Sequence, residues 1–137
     1  HKMLEIDEII FKIQDIHRAD YYISIMSKPE LEFLNVDNFE WVPIDNAPGT
    51  YERILSSDKN LGNYTRMLKF DVGAETHETL THEFWEEVYI IKGGLYDKAK
   101  KQLFTEGMYA CRPPGMTHGP YKSSEGCITI EMRYYLK

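Results

Sequence analysis

Gly107-Met-Tyr-Ala-Cys-Arg-Pro113-Pro114-Gly115-Met-Thr-His118 is the stretch that decides the fold. A short alternating run of the kind that forms a strand ends here in a Pro-Pro-Gly turn, and the fixed φ of proline sets the direction in which the next segment leaves. The turn therefore aims His118. Upstream, His82-Glu83-Phe84-Trp85-Glu86 carries an imidazole and a carboxylate four residues apart. Residues of equal parity share one face of an extended strand, so His82 and Glu86 point the same way. Imidazole and carboxylate together suit zinc, iron, nickel or manganese, and two His with one carboxylate leave coordination positions open for water or substrate.

Around this stretch, from about Val36 onward, short alternating runs are separated by turn residues such as Pro48-Gly49, Gly62-Asn63 and Gly93-Gly94. Candidate strands are Tyr51 to Leu55, Tyr64 to Val72, Trp85 to Ile91, Gly94 to Tyr96, Gln102 to Phe104, Met108 to Arg112 and Ile128 to Leu136. The spacing is all-β and suits a closed barrel or a sandwich. Nothing between Pro43 and Lys137 divides that unit. Ahead of it, Leu4, Ile6, Ile9, Ile10, Ile13 and Ile16 recur at three- and four-residue steps, which predicts one amphipathic helix over residues 4 to 18. Met26 offers a second start, so residues 2–25 read as a helical extension or arm and 26–137 as a single domain. His1, before Lys2 and Met3, reads as the remnant of a purification tag and is set aside.

Composition narrows the partners. With 137 residues the chain is one ordinary domain. Its 16 Lys and Arg against 22 Asp and Glu leave a net charge of −6, which gives no cationic surface for nucleic acid. Apolar runs such as Val88-Tyr89-Ile90-Ile91 fall far short of the roughly 20 residues that span a bilayer. Cys111 and Cys127 make no disulfide framework and no signal peptide is evident, so a cytoplasmic setting is expected. The apolar stripe of the arm and the edges of the sheets lead us to expect a homodimer.

The two motif regions taken together resemble the cupin superfamily. Its second motif, Gly-x5-Pro-x-Gly-x2-His, is matched by Gly107, Pro113, Gly115 and His118. In its first motif Gly73 stands at the opening, His82 matches the second His, Glu86 follows after three residues and Gly93 after six more. Glu86-Glu87-Val-Tyr-Ile-Ile-Lys-Gly93 and Pro113-Pro114-Gly115-Met-Thr-His118-Gly-Pro120 look most like the ChrR-like branch. That branch includes the zinc-binding half of certain anti-sigma factors and small dioxygenases acting on diketones or aromatic ketones. The resemblance covers about Pro43 to Tyr135 and implies a cupin-type jelly-roll barrel, a double-stranded β-helix, around one divalent metal ion. Two positions depart from the pattern: Leu80 replaces the first His of the first motif, and Lys122 the Asn often found at the end of the second. Either His82, Glu86 and His118 hold the metal alone, or His77 in the loop before them supplies a fourth ligand, or the barrel is metal-free and these side chains only hydrogen-bond.

Parity assigns the surroundings. Phe84, Val88 and Ile90 share the face of His82 and Glu86 and should line the interior, with Glu87 on the solvent side or as a partner supporting the ligands from behind. On the strand from Tyr64, the inward set Tyr64, Leu68, Phe70 and Val72 includes Arg66, whose guanidinium must find an anion. It is either a clamp for a substrate carboxylate or enolate, or an Arg near the strand end that reaches solvent or an acidic neighbour. Arg66, Phe84 and Val88 are the candidate substrate-binding residues. In the last strand Ile128, Ile130, Met132 and Tyr134 alternate with Thr129, Glu131, Arg133 and Tyr135. One face is core, and Glu131 with Arg133 reads as a solvated cross-strand pair. Cys111, near Pro113, reads as a small hydrophobe facing the pocket or packed in its strand, and Trp85 and Tyr89 as core or interface residues. Two classes of function follow. One is a metal-dependent enzyme on a small organic substrate, with an oxygenase acting on a ketone, diketone or carboxylate ahead of a lyase or isomerase. The other is a non-catalytic metal- or metabolite-binding module, regulatory in the anti-sigma manner.

Overall fold

The computed structural model describes residues 28–136 together with Gln14. Gln14 is helical and exposed, and the rest of the expected N-terminal helix lies outside the described residues. Among the described residues one 3-10 turn, Val36–Asn38, precedes the strands. In chain order these are β1 (Val42–Pro43), β2 (Thr50–Ser57), β3 (Tyr64–Phe70), β4 (Ala74–Glu75), β5 (Trp85–Asp97), β6 (Gln102–Thr105), β7 (Tyr109–Arg112), β8 (Tyr121–Ser123) and β9 (Cys127–Tyr134). All pairings are antiparallel. No helix among the described residues is long and apolar enough to cross a membrane.

β5 is common to two sheets. Its first part pairs with β9 and β7 in the order β1-β2-β3-β9-β5-β7, and its last residues pair with β6 and β8, beyond which lies β4. The strand turns from one sheet into the other where the register slips between Ile90 and Lys92, which lets one residue drop out of the ladder and bends the chain. Gly93 follows at once with φ +77°, and an added Cβ would stand 2.0 Å from the carbonyl oxygen of Gly126. Only glycine permits that approach. The sequence punctuation at Gly93-Gly94 predicts two strands, whereas the backbone runs straight through as one. Turn residues signal a change of direction, and a bulge supplies it without breaking the strand.

Inside, the register stacks the strands in layers. Phe70 lies opposite Cys127 and Leu68 opposite Thr129, with Gly93 and Ile90 next on β5. Leu68, Phe70, Ala74, Ile90, Leu95, Tyr121 and Cys127 form the apolar cluster, with Ile44 and Phe104 against it. The next two layers are ionic: Arg66 opposite Glu131, then Tyr64 opposite Arg133, which faces Glu86. So the barrel has an apolar end and a charged end.

That layering corrects the reading of β9. Glu131 is buried and Arg133 half-buried on the inner face with Cys127 and Thr129, while Ile128, Ile130 and Met132 face outward and are only partly covered. Hydrophobicity alone points the wrong way there, because the charges are neutralised by partners on β3 and β5 that sequence order does not place beside them. Val72, expected inward, lies beyond the end of β3 and is exposed; Cys111 faces outward on β7. Tyr89 is likewise exposed, and Trp85 is half-buried. Tyr121–Ser123 and Ala74–Glu75, too short to show alternation, are strands as well.

Replacing Gly93 by Ala should destabilise the protein by more than about 2 kcal/mol, since the new methyl cannot coexist with Gly126 and the left-handed φ adds strain. A urea midpoint close to that of the parent would show that the β5 bend tolerates a side chain.

Candidate metal centre

Two backbone clasps bring the motif regions together. Leu80 and His118 exchange both N–H···O=C bonds at 2.9 Å, and Gly115 donates its N–H to the carbonyl of His82 at 2.8 Å. The Pro-Pro-Gly turn is thus laced to the segment entering β5, and each clasp fixes one of the two imidazoles. Leu80, which stands where the cupin pattern has its first His, takes part through its backbone while its side chain is exposed.

The result is a compact donor set. His82 Nε2 and His118 Nε2 are 3.0 Å apart, and Glu86 carboxylate oxygens lie 3.9 Å from each. Their donor atoms all fall within 4.8 Å of one another. Two imidazole nitrogens at a metal–nitrogen distance of about 2.1 Å and a right angle would be about 3.0 Å apart, so the spacing fits neighbouring ligands of one ion. Phe84 stacks on His82, with centroids 4.6 Å apart and an interplanar angle of 11°, and Tyr135 meets Phe84 edge-on. His118 Nδ1 is 3.0 Å from the Tyr121 hydroxyl, which fixes the ring and leaves Nε2 facing His82.

Glu86 is 1% exposed and has a guanidinium on each oxygen. Arg112 Nη1 donates to Oε1 and Arg133 Nε to Oε2, both at 2.6 Å. Burial pushes its carboxyl pKa up, but the two guanidiniums outweigh burial and hold it below the usual carboxylate range. Each oxygen keeps a further lone pair beyond the arginine bond, so the carboxylate is still able to serve an ion. Burial lowers the pKa of both imidazoles, that of His118 to about 4 with Arg112 adding to the effect, so both are neutral near pH 7 as metal binding requires.

The ion pairs continue outward. Arg66 Nε donates to Glu131 at 2.8 Å and its Nη1 to Glu52 at 2.6 Å, and Arg133 Nη2 lies 3.8 Å from Glu131. Glu52, Arg66, Glu131, Arg133, Glu86 and Arg112 form a line of alternating charge through the barrel. Arg66 therefore has two acidic neighbours of its own, the second of the alternatives that parity allows. Beside His118 opens a cavity of about 100 Å³, walled by apolar side chains including Val88, Ile90 and Met116, with Arg112, His118 and Tyr121 on one side.

The sequence-predicted site residues divide accordingly. His82, Glu86 and His118 meet, Val88 lines the cavity, and Phe84 backs the His82 ring rather than the cavity. His77 is exposed in the loop after β4, outside the group of donors. Glu87 faces outward and accepts from Tyr109. Sequence reasoning missed Arg112, Arg133 and Tyr121. A signal existed only for their partners, since Arg66 and Glu86 share the parity of apolar residues in their strands, whereas Arg133 alternates against Ile128, Ile130 and Met132 and looks outward from the sequence.

A jelly-roll barrel with two imidazoles and a carboxylate converging inside it is a cupin. Residues 30–135 match the ChrR cupin-like domain, and the chain belongs to that family. No curated protein matches it. Among solved structures, an RmlC-like cupin from Shewanella frigidimarina shares 21% identity, with 82% of this chain and 96% of that one covered and a TM-score of 0.64. An acetylacetone dioxygenase from Acinetobacter johnsonii is 15% identical over 77% of this chain and 74% of its own, TM-score 0.63. The complex of Rhodobacter sphaeroides SigE with the anti-sigma ChrR is matched at 17% identity over 72% of this chain and 51% of that one, TM-score 0.57.

The imidazoles give a pH signature. An unfolded His takes up a proton near its ordinary value of 6.5, whereas His118 in the fold stays neutral to about 4. The unfolded state thus binds more protons in that window, and stability falls as pH drops from 6.5 towards 4. Glu86, with its lowered value, adds to the loss only below about 4.5. In chelator-treated protein the urea midpoint should fall between pH 7 and pH 5, and fall less in a His118→Phe variant. An unchanged midpoint would remove the buried neutral imidazole.

Proposed function

We propose that the chain is a metal-dependent enzyme acting on a small organic substrate that enters the cavity beside His118. The observation that carries this reading is the juxtaposition of a three-donor cluster with an apolar cavity of about 100 Å³ sharing the His118 ring. His82, Glu86 and His118 would hold one divalent ion, with Fe, Zn, Ni and Mn all compatible with the donors. Bound there, the ion would supply Lewis-acid polarisation of a ketone, diketone or carboxylate head and, as iron(II), the electrons that oxygen chemistry needs. The residues of the chain do the rest. Arg112 and Arg133 keep Glu86 ionised and oriented, Tyr121 holds His118 in position, and Phe84 fixes His82.

An oxygenase is the favoured reaction, because two imidazoles and a carboxylate leave positions for substrate and dioxygen together. The likeness to an acetylacetone dioxygenase supports this at the level of fold. Cavity size selects among substrates: about 150 Å³ admits benzene, so a smaller space favours an aliphatic body over an aryl one. The competing reading is a metabolite- or protein-binding module, favoured by the family's ChrR description and the SigE–ChrR likeness. A lyase or isomerase would use the same site without oxygen. A cytoplasmic homodimer belongs to the same proposal, with exposed Leu31, Phe33 and Leu34 as apolar surface that a partner would cover.

Protein purified without added metal should contain close to one divalent ion per chain. His118→Ala should lose most of it, while His77→Ala should keep it. After iron loading, dioxygen uptake is expected with an aliphatic β-diketone and should be weaker with an aryl ketone. Turnover that persists without oxygen would move the reaction to a lyase or isomerase, and metal content unchanged in His118→Ala would sink the assignment of the centre.

A further inference from the structure

The line of buried charges has two unlike ends. Each of its inner members lies between two groups of opposite sign, from Glu52 through Arg66, Glu131, Arg133 and Glu86 to Arg112. Glu52 ends the line at the surface, with its side chain 30% exposed. Arg112 ends it at the cavity wall. There its single carboxylate partner, Glu86, is shared with Arg133, and its other bonded group is the phenol of Tyr121 at 2.9 Å. The phenol supplies a neutral oxygen and no charge to balance the guanidinium. A guanidinium has five N–H donors, of which Arg112 gives one to Glu86 and one to Tyr121, leaving three.

The other ionised groups at the cavity are Asp97 and Lys100. Asp97 opposes an anion, but its Oδ1 is turned to the backbone N–H groups of Ala99 and Lys100, from which it accepts. Among the lining residues Arg112 and Lys100 are positive and Asp97 negative, while Glu86, the partner of Arg112, lies behind the wall. We infer that the cavity takes a small aliphatic monoanion, a carboxylate or an enolate, whose charged oxygen pairs with Arg112 and extends the alternation of charge by one member. The inference rests on the cavity being the substrate site, and it moves the anion-binding role from Arg66, which has two carboxylates already, to Arg112. The cavity volume of about 100 Å³, against the roughly 150 Å³ that holds benzene, suits a ligand whose buried body has about four or five heavy atoms.

Isobutyrate and isobutyramide have the same size and differ in charge, so they separate the anion from the space it fills. Each is titrated into the full-length chain with chelator present, so that no metal ion acts as the acceptor, and binding is followed by the methyl NMR shifts of Val88, Ile90 and Leu95. Isobutyrate should bind at least about tenfold more tightly than the amide. Arg112→Gln should abolish that preference, and Arg112→Lys should retain part of it. If Arg112→Gln does not fold, the ratio in the parent protein together with Arg112→Lys still decides. Equal binding of the two probes, or a preference that survives in Arg112→Gln, would overturn the inference and leave the cavity standing as a substrate site. Binding of neither would overturn the cavity reading and the inference with it.

Discussion

The carboxylate of Glu86 between the guanidiniums of Arg112 and Arg133 is the interaction on which the charged end of the barrel depends. A carboxylate buried to 1% exposure is costly unless its oxygens are paired, and removing one partner of a buried ion pair typically costs about 3–5 kcal/mol. Here the partners come from β7 and β9, which flank β5 on either side. The three strands are therefore held in one register by charge as well as by their ladders, because a slip of one residue would turn Glu86, Arg112 and Arg133 to the wrong face.

The same constraint explains why so much charge is tolerated inside. Three carboxylates and three guanidiniums sum to zero along the line from Glu52 to Arg112, and the short bonds between them replace the water that each loses. Leu68, Phe70, Ile90 and Cys127 fill the other layers, so hydrophobic burial holds the strands together while the ionic layers specify their order. The clasps from Leu80 to His118 and from His82 to Gly115 then set two imidazoles against Glu86 on backbone that is hydrogen-bonded in place. A donor set fixed in this way needs little rearrangement to receive an ion.

Leu80 contributes to this arrangement through its backbone alone, which pairs with His118 while its side chain is exposed. Three donors meet, two of them neutral and the third shared with two arginines. Such a set carries little negative charge, which makes the cavity beside it more receptive to negative ligand atoms than a carboxylate-rich site would be.

Local sequence was enough for the class of the fold and for the three donors. Alternation and turn residues mark the strands, proline fixes the turn before His118, and motif spacing marks His82 and Glu86; but His82 lies ahead of β5 in a bent segment held by the clasp to Gly115, so strand parity is not what sets it against Glu86. Local sequence was not enough for β9, where Glu131 and Arg133 face the interior, nor for Arg112, Arg133 and Tyr121 at the site. Whether a charged side chain can be buried depends on the partner across the sheet, and Arg66, Glu86 and Glu131 are brought together from β3, β5 and β9 only when the barrel closes. The continuity of β5 through Gly93 and Gly94 is of the same kind, because the approach of Gly126 that demands glycine comes from a turn more than thirty residues away in the chain.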